Sequence, residues 1–197
     1  SNMQDCFNSC LNFDGTVDFS NDTMLGNTRQ EILTTNVPVT GVSKKDHILK
    51  ATNGLARTFA YCESMTKAPI FTNCTNLNQF FGTFYKSGMK ETIDFTTIPN
   101  VINMTYMYSG CKNLETIKNL PSNLLYAQMA FASCPKLEMD ENIIPNSIIL
   151  ANYMFSGAES LTTAYVPASV KDATSMYENC TNINNVIGLD TTVNIQY

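Results

Sequence analysis

MYSGCKNL (107–114), AFASCPKL (130–137) and MFSGAESL (154–161) are three spellings of one template. A Met, Thr or Ala is followed by an aromatic, two residues, a small residue, two more and an aliphatic. Working outward, TFAYCESM (58–65), TFYKSGMK (83–90) and MYENCTNI (176–183) fit the same frame. The small residue falls at Cys62, Ser87, Cys111, Cys134, Ala158 and Cys180, with spacings of 25, 24, 23, 24 and 22. Other positions keep step. Seven residues before the aromatic stand Leu77, Val101, Leu124, Ile148 and Val170, with Thr52 breaking the row, and four before stand Leu55, Phe80, Met104, Ala127, Ala151 and Ala173. Pro99, Pro121, Pro145 and Pro167 each precede the next aromatic by nine or ten residues.

A unit this short cannot bury an apolar face alone, so each must stack on its neighbours as one coil of a repeat array. Matching side chains then form rows, and the aromatics Phe59, Phe84, Tyr108, Phe131, Phe155 and Tyr177 are expected to form the spine of the core. After each small residue comes a segment readable as a strand: 114–121, 161–167 and, less cleanly, 137–145. Alternation puts Leu161, Thr163 and Tyr165 on one face and Thr162, Ala164 and Val166 on the other, so the facing is ambiguous. Proline at the strand exit suits the end of a ladder, because it cannot donate there.

An earlier copy, CFNSCLNF (6–13), places Cys10 in the small-residue row, 52 residues before Cys62. That interval has room for two turns, and it is read as an irregular turn near 25–38 plus an inserted polar loop. Ser1-Asn2 before Met3 reads as a protease scar. The organisation expected is therefore 3–50 as degenerate repeats with an insertion and 51–197 as regular repeats. The chain starts and stops inside repeat units without polar caps, which reads as part of a longer protein.

Composition agrees with a folded repeat. Hydrophobic residues are 44% and charged residues 15% of the 197, too apolar for a disordered chain. Asparagine is roughly one residue in nine and, because it tolerates the left-handed backbone, suggests many regular corners. A net charge of −5 with scattered cations gives no basic stripe for nucleic acid. The most apolar stretch, 143–151, is broken by Pro145, Asn146 and Ser147, and no run reaches bilayer-spanning length.

These motifs, with the strand and proline of LTTAYVPASV (161–170), resemble the BspA-like leucine-rich repeats of bacterial and protist surface proteins and related mycoplasma lipoprotein repeats. The resemblance covers 55–197 and one copy at 3–13. It implies an α/β-type, right-handed, leucine-rich-repeat-like solenoid, with a parallel strand ladder on one face and irregular or short helical turns on the other. It also implies export to the cell surface and a role as an adhesin-like binder of host matrix or cell-surface proteins. Ser87 and Ala158 depart from the family's usual Cys, the Met89 region is out of register by about one residue, and residues 14–50 barely match.

The residues themselves point away from catalysis. His47 is the only histidine and no C-x-x-C occurs, so neither a zinc site nor a histidine-based triad has its parts. No glycine-rich nucleotide loop is present, and no cofactor is implied. Five of seven cysteines sit in the small-residue row, where parallel side chains do not face one another. They read as reduced core, while a disulfide involving Cys6 or Cys74 stays open. Sequons at Asn21, Asn73, Asn103 and Asn179 matter only for a eukaryotic source. The candidate binding surface is the outward strand positions Asp94, Thr116, Lys118, Asp140, Thr163 and Tyr165. Tyr165 leads, since aromatics are enriched in binding hot spots; any of the six also suits a plain solvated sheet face. The partner expected is a protein; a glycan reader, which needs exposed aromatics grouped with Asn and Asp, and a structural spacer are the alternatives.

Overall fold

The computed structural model describes residues 3–20, 55–140 and 143–188. The aromatic row forms one continuous stack. Phe7, Phe59, Phe84, Tyr108, Phe131, Phe155 and Tyr177 follow one another with ring centroids 5.3–5.7 Å apart and planes within 15°, in the range of favourable aromatic stacking. From Phe59 to Tyr177 these rings are fully buried, as are the aliphatic rows from Leu77 to Val170 and Leu55 to Ala173. The chain is a repeat fold whose coils share a single interior.

Parallel bridges tie coil to coil in two rows. One runs Gln79, Asn103, Tyr126, Leu150, Asp172, always five residues before the aromatic; the other includes Glu91, Thr116 and Glu138. Only in the last coils does the second row lengthen into strands, β1 (Thr163–Tyr165) paired in parallel with β2 (Asn185–Ile187). Where longer strands were expected at 114–121 and 137–145, the described residues form single bridge positions at Thr116 and Glu138. Ala164 and Val166 face inward, resolving the ambiguous alternation.

Of the irregular or short helical turns expected, the described residues have the irregular kind, with one 3-10 turn at Phe95–Thr97. In these turns each aromatic of the stack sits between two left-handed residues, two positions before it and two after: Asp5 and Ser9, Arg57 and Tyr61, Gly82 and Lys86, Tyr106 and Gly110, Met129 and Ser133, Tyr153 and Gly157, Ser175 and Asn179. Successive three-residue turns result. Around Tyr108, the N–H groups of Met107, Ser109 and Cys111 donate back to Met104, Tyr106 and Tyr108 within the coil. The intervening N–H groups of Tyr106, Tyr108 and Gly110 donate to Gln128, Ala130 and Ala132 of the next coil at 2.7–3.0 Å. A left-handed third residue is the mark of a type II turn, and it aims alternate peptides along the stack. Each non-glycine held this way costs roughly 1–2 kcal/mol, offset by inter-coil hydrogen bonds of about 0.5–1.5 kcal/mol each. In this segment every inter-coil bond runs the same way, from an N–H to a carbonyl of the following coil.

Asparagine's role differs from the expected one. Among the described residues only Asn73 and Asn179 occupy left-handed positions. Others bind the coils together: Asn100 donates to the Thr75 carbonyl, Asn123 to Pro99 and Asn182 to Glu159. Ser147 and Ser169 do the same toward Leu124 and Ile148.

The thiols are a further tie. Cys62, Cys111, Cys134 and Cys180 donate to the carbonyls of Phe7, Phe84, Tyr108 and Phe155, the aromatics of the preceding coil, at 3.0–3.1 Å. Cys74, off the row, donates to Phe19. All seven cysteines are free, with Cys6 and Cys10 exposed. Burial pushes the Cys111 thiol up to about 11 and raises those of Cys62, Cys134 and Cys180 as well, so these four row thiols stay protonated at neutral pH.

The N-terminal coil lies directly against the coil of Phe59. The N–H groups of Asp5, Phe7 and Ser9 donate to Ala56, Thr58 and Ala60, and Asp18 bridges Ile70. No coil separates the two copies of the template; the turn expected near 25–38, His47 and Asn21 fall outside the described residues.

Candidate interaction surface

The six strand-side residues do not form one cluster. Asp94 caps the 3-10 turn by accepting from the Thr96 N–H and hydroxyl, and Asn119 of the next coil donates to it at 3.3 Å. The Thr96 N–H, then its hydroxyl, lowers the Asp94 pKa below its ordinary value, with the Lys118 charge a smaller contributor. Lys118 pairs with Glu91 at 2.7 Å; both are well exposed, so the pair is worth little in stability. Thr116 is the middle member of the second bridge row, Asp140 is exposed, and Thr163 is half-buried. Tyr165 is also half-buried: its hydroxyl donates to Asn146 at 3.4 Å, and its backbone is held at both N–H and C=O by the Tyr177 hydroxyl. Asp94 and Lys118 are thus brought side by side, whereas Tyr165 sits several coils away.

The left-handed turn segments carry side chains that the sequence template left as unspecified positions. Tyr61, 38% exposed, meets Tyr85 edge-on at 5.3 Å, and the Lys86 ammonium lies 5.5 and 5.2 Å from their ring centroids. Phe81 meets Tyr106 at 5.8 Å. Next to Lys86 is an open groove of about 580 Å³, with Glu63 and Lys112 on its walls and Ser87, Gly88 and Gly110 among its lining. Its shape follows from glycine: a Cβ on Gly88 would lie 2.0 Å from the Glu63 carbonyl oxygen, and one on Gly110 2.6 Å from Cγ of Lys86. The signal that could have revealed this side is the residue type two before and one or two after each aromatic, where tyrosines and Lys86 cluster.

Of the sequons, Asn103 is buried and accepts from the Thr105 N–H, which removes it as a glycan acceptor, while Asn73 and Asn179 are exposed. Among the described residues no group of three His, Cys, Asp or Glu could hold a metal ion, and no helix is long and apolar enough to cross a membrane.

No family model matches the chain, and neither does any curated protein. Among solved structures, the leucine-rich repeat protein of T. pallidum (TpLRR) is similar at 18% identity and a TM-score of 0.36, over 72% of this chain and 66% of that one. This chain therefore matches just under two thirds of that protein's length.

Proposed function

We propose that this chain is a non-enzymatic binding module that offers a long face of a leucine-rich-repeat-like, right-handed solenoid to a protein partner at the cell surface, as BspA-like proteins do. The supporting observation is the division of labour within each coil. The aromatic, aliphatic and thiol rows are consumed in holding coils together, while the bridge row of Glu91, Thr116 and Glu138 sets outward side chains at regular intervals across coils. Those outward positions are free of packing demands, so their chemistry can be matched to a partner.

The test is immobilised chain against host matrix proteins and intact host cells. Saturable binding is expected for at least one, weakened about tenfold by the combined Lys118→Glu and Tyr165→Ala changes, as loss of a hot-spot aromatic predicts. No binding to any matrix protein or cell at tens of micromolar chain, or binding indifferent to both changes, overturns the reading.

A further inference from the structure

We propose that the groove beside Gly88, lined from the turn segments of successive coils, is a second site and that it takes an acidic carbohydrate. The charge placement is the first reason. The protein is acidic overall, at −5, yet Lys86 and Lys112 line this groove against the single acid Glu63, and Lys136 reaches its rim by donating to Asn113 at 3.2 Å. None of these three lysines is in an ion pair among the described residues, where the pairs are Arg57–Asp5 and Lys118–Glu91. Lys86 is instead held over two tyrosine rings, which fixes a cation without neutralising it.

The second reason is the pairing of that charge with an exposed ring. Tyr61 occupies the same register position, two after the aromatic, as Lys86 does one coil on. A sugar seated in the groove would present its carboxylate to Lys86 and Lys112, and an oligomer reaching past Lys86 would lay the C–H face of a second ring on the exposed part of Tyr61, which stands outside the groove lining. Asn113, Ser133 and Glu63 supply hydroxyl partners at the groove wall. A volume of about 580 Å³ is in the range of small-ligand sites, and the polar lining suits a hydroxyl-rich ligand.

The third reason separates a sugar from an acidic peptide. Peptides gain affinity by adding main-chain hydrogen bonds to an unsatisfied edge. Here the N–H groups of Lys86, Ser87, Gly88 and Gly110 are already engaged with Ser109, Phe84, Cys62 and Ala132. With the amides at the groove floor engaged, side chains carry much of the recognition, which favours a ligand whose own polar groups are all peripheral.

The experiment is calorimetric titration of the intact chain with an oligomer of galacturonic acid, a neutral oligomer of galactose of equal length, and a glutamate peptide of equal charge. Saturable binding of the acidic oligomer is expected, at least about tenfold tighter than either control. Lys86→Gln with Lys112→Gln is expected to weaken it about tenfold or more with the thermal midpoint unchanged, and Tyr61→Ala to weaken the sugar but not the peptide. The proposal is overturned if the double variant binds the acidic oligomer as well as the parent, if the glutamate peptide binds equally well, or if no saturation appears at millimolar oligomer. Protein-partner binding through Lys118 and Tyr165 is measured on the same variants and stays unchanged, so the failure of either reading is distinguishable from failure of the other.

Discussion

Tyr177 carries one oxygen more than the phenylalanines it stacks with, and that oxygen explains its identity. It accepts from the Tyr165 N–H and donates to the Tyr165 carbonyl, as Tyr108 accepts from the Ile93 N–H, so each phenol satisfies backbone of the coil before it. Burial holds both phenols well above the ordinary tyrosine range. Tyr177→Phe is expected to keep the stack and lose about 1–3 kcal/mol by orphaning those backbone groups, read as a lowered urea midpoint; an unchanged midpoint would show the bonds to be idle. Glycines divide in the same way. Gly88→Ala drives a methyl into the Glu63 carbonyl, whereas at Gly157 the nearest atom is 3.6 Å away and only the left-handed φ of 73° resists. Gly157→Ala should therefore cost roughly 1–2 kcal/mol and Gly88→Ala clearly more, compared by thermal melting. Which residues are buried was legible at this scale, because the aromatic and aliphatic rows recur in the chain. Why Tyr replaces Phe, or where Gly88 meets a carbonyl, depends on contacts between coils that no single repeat displays.

The element that distinguishes this fold is the turn segment around each aromatic, and it was the least legible. Gly82, Gly110, Gly157, Asp5 and Asn179 suit its left-handed positions, but six others hold Arg57, Tyr61, Lys86, Tyr106, Met129 and Tyr153, residue types that carry no local preference for that conformation. Nothing in composition marks them, and the expectation of helical turns came from resemblance rather than from these residues. Bonding between coils, a long-range effect, imposes the conformation. Hydrogen exchange tests this. The amides of Tyr153, Phe155 and Gly157 donate to Thr174, Met176 and Glu178 of the next coil, and should exchange more slowly, by about tenfold or more, than those of Met154, Ser156 and Ala158, which donate within their own coil. Equal protection in the two sets would show that the inter-coil bonds do not govern local stability.

At the scale of the whole molecule, stability should be the sum of coil stabilities and the interfaces between neighbours. Removing residues 108–130 deletes one complete unit and brings Phe131 into the place of Tyr108, with Met107 now preceding it. The shortened chain is expected to fold cooperatively with its denaturant m-value reduced by about one seventh, whereas deleting only residues 108–119 breaks every row and should abolish the transition. Circular dichroism against urea distinguishes these outcomes. The coil boundaries needed for that design were legible from the spacing of Cys111 and Cys134, but the direct apposition of Phe7 and Phe59 was not, since 52 residues of sequence conceal that the two coils are neighbours. The one-way hydrogen bonding of the turn segment has a consequence for how such chains grow. Within that segment a coil has one edge of donors and one of acceptors, so a tandem copy of a unit, inserted in frame, meets its neighbour there with the right polarity. Lengthening by gene duplication requires no new joint, and a block transplanted to another level fits there provided it is never inverted.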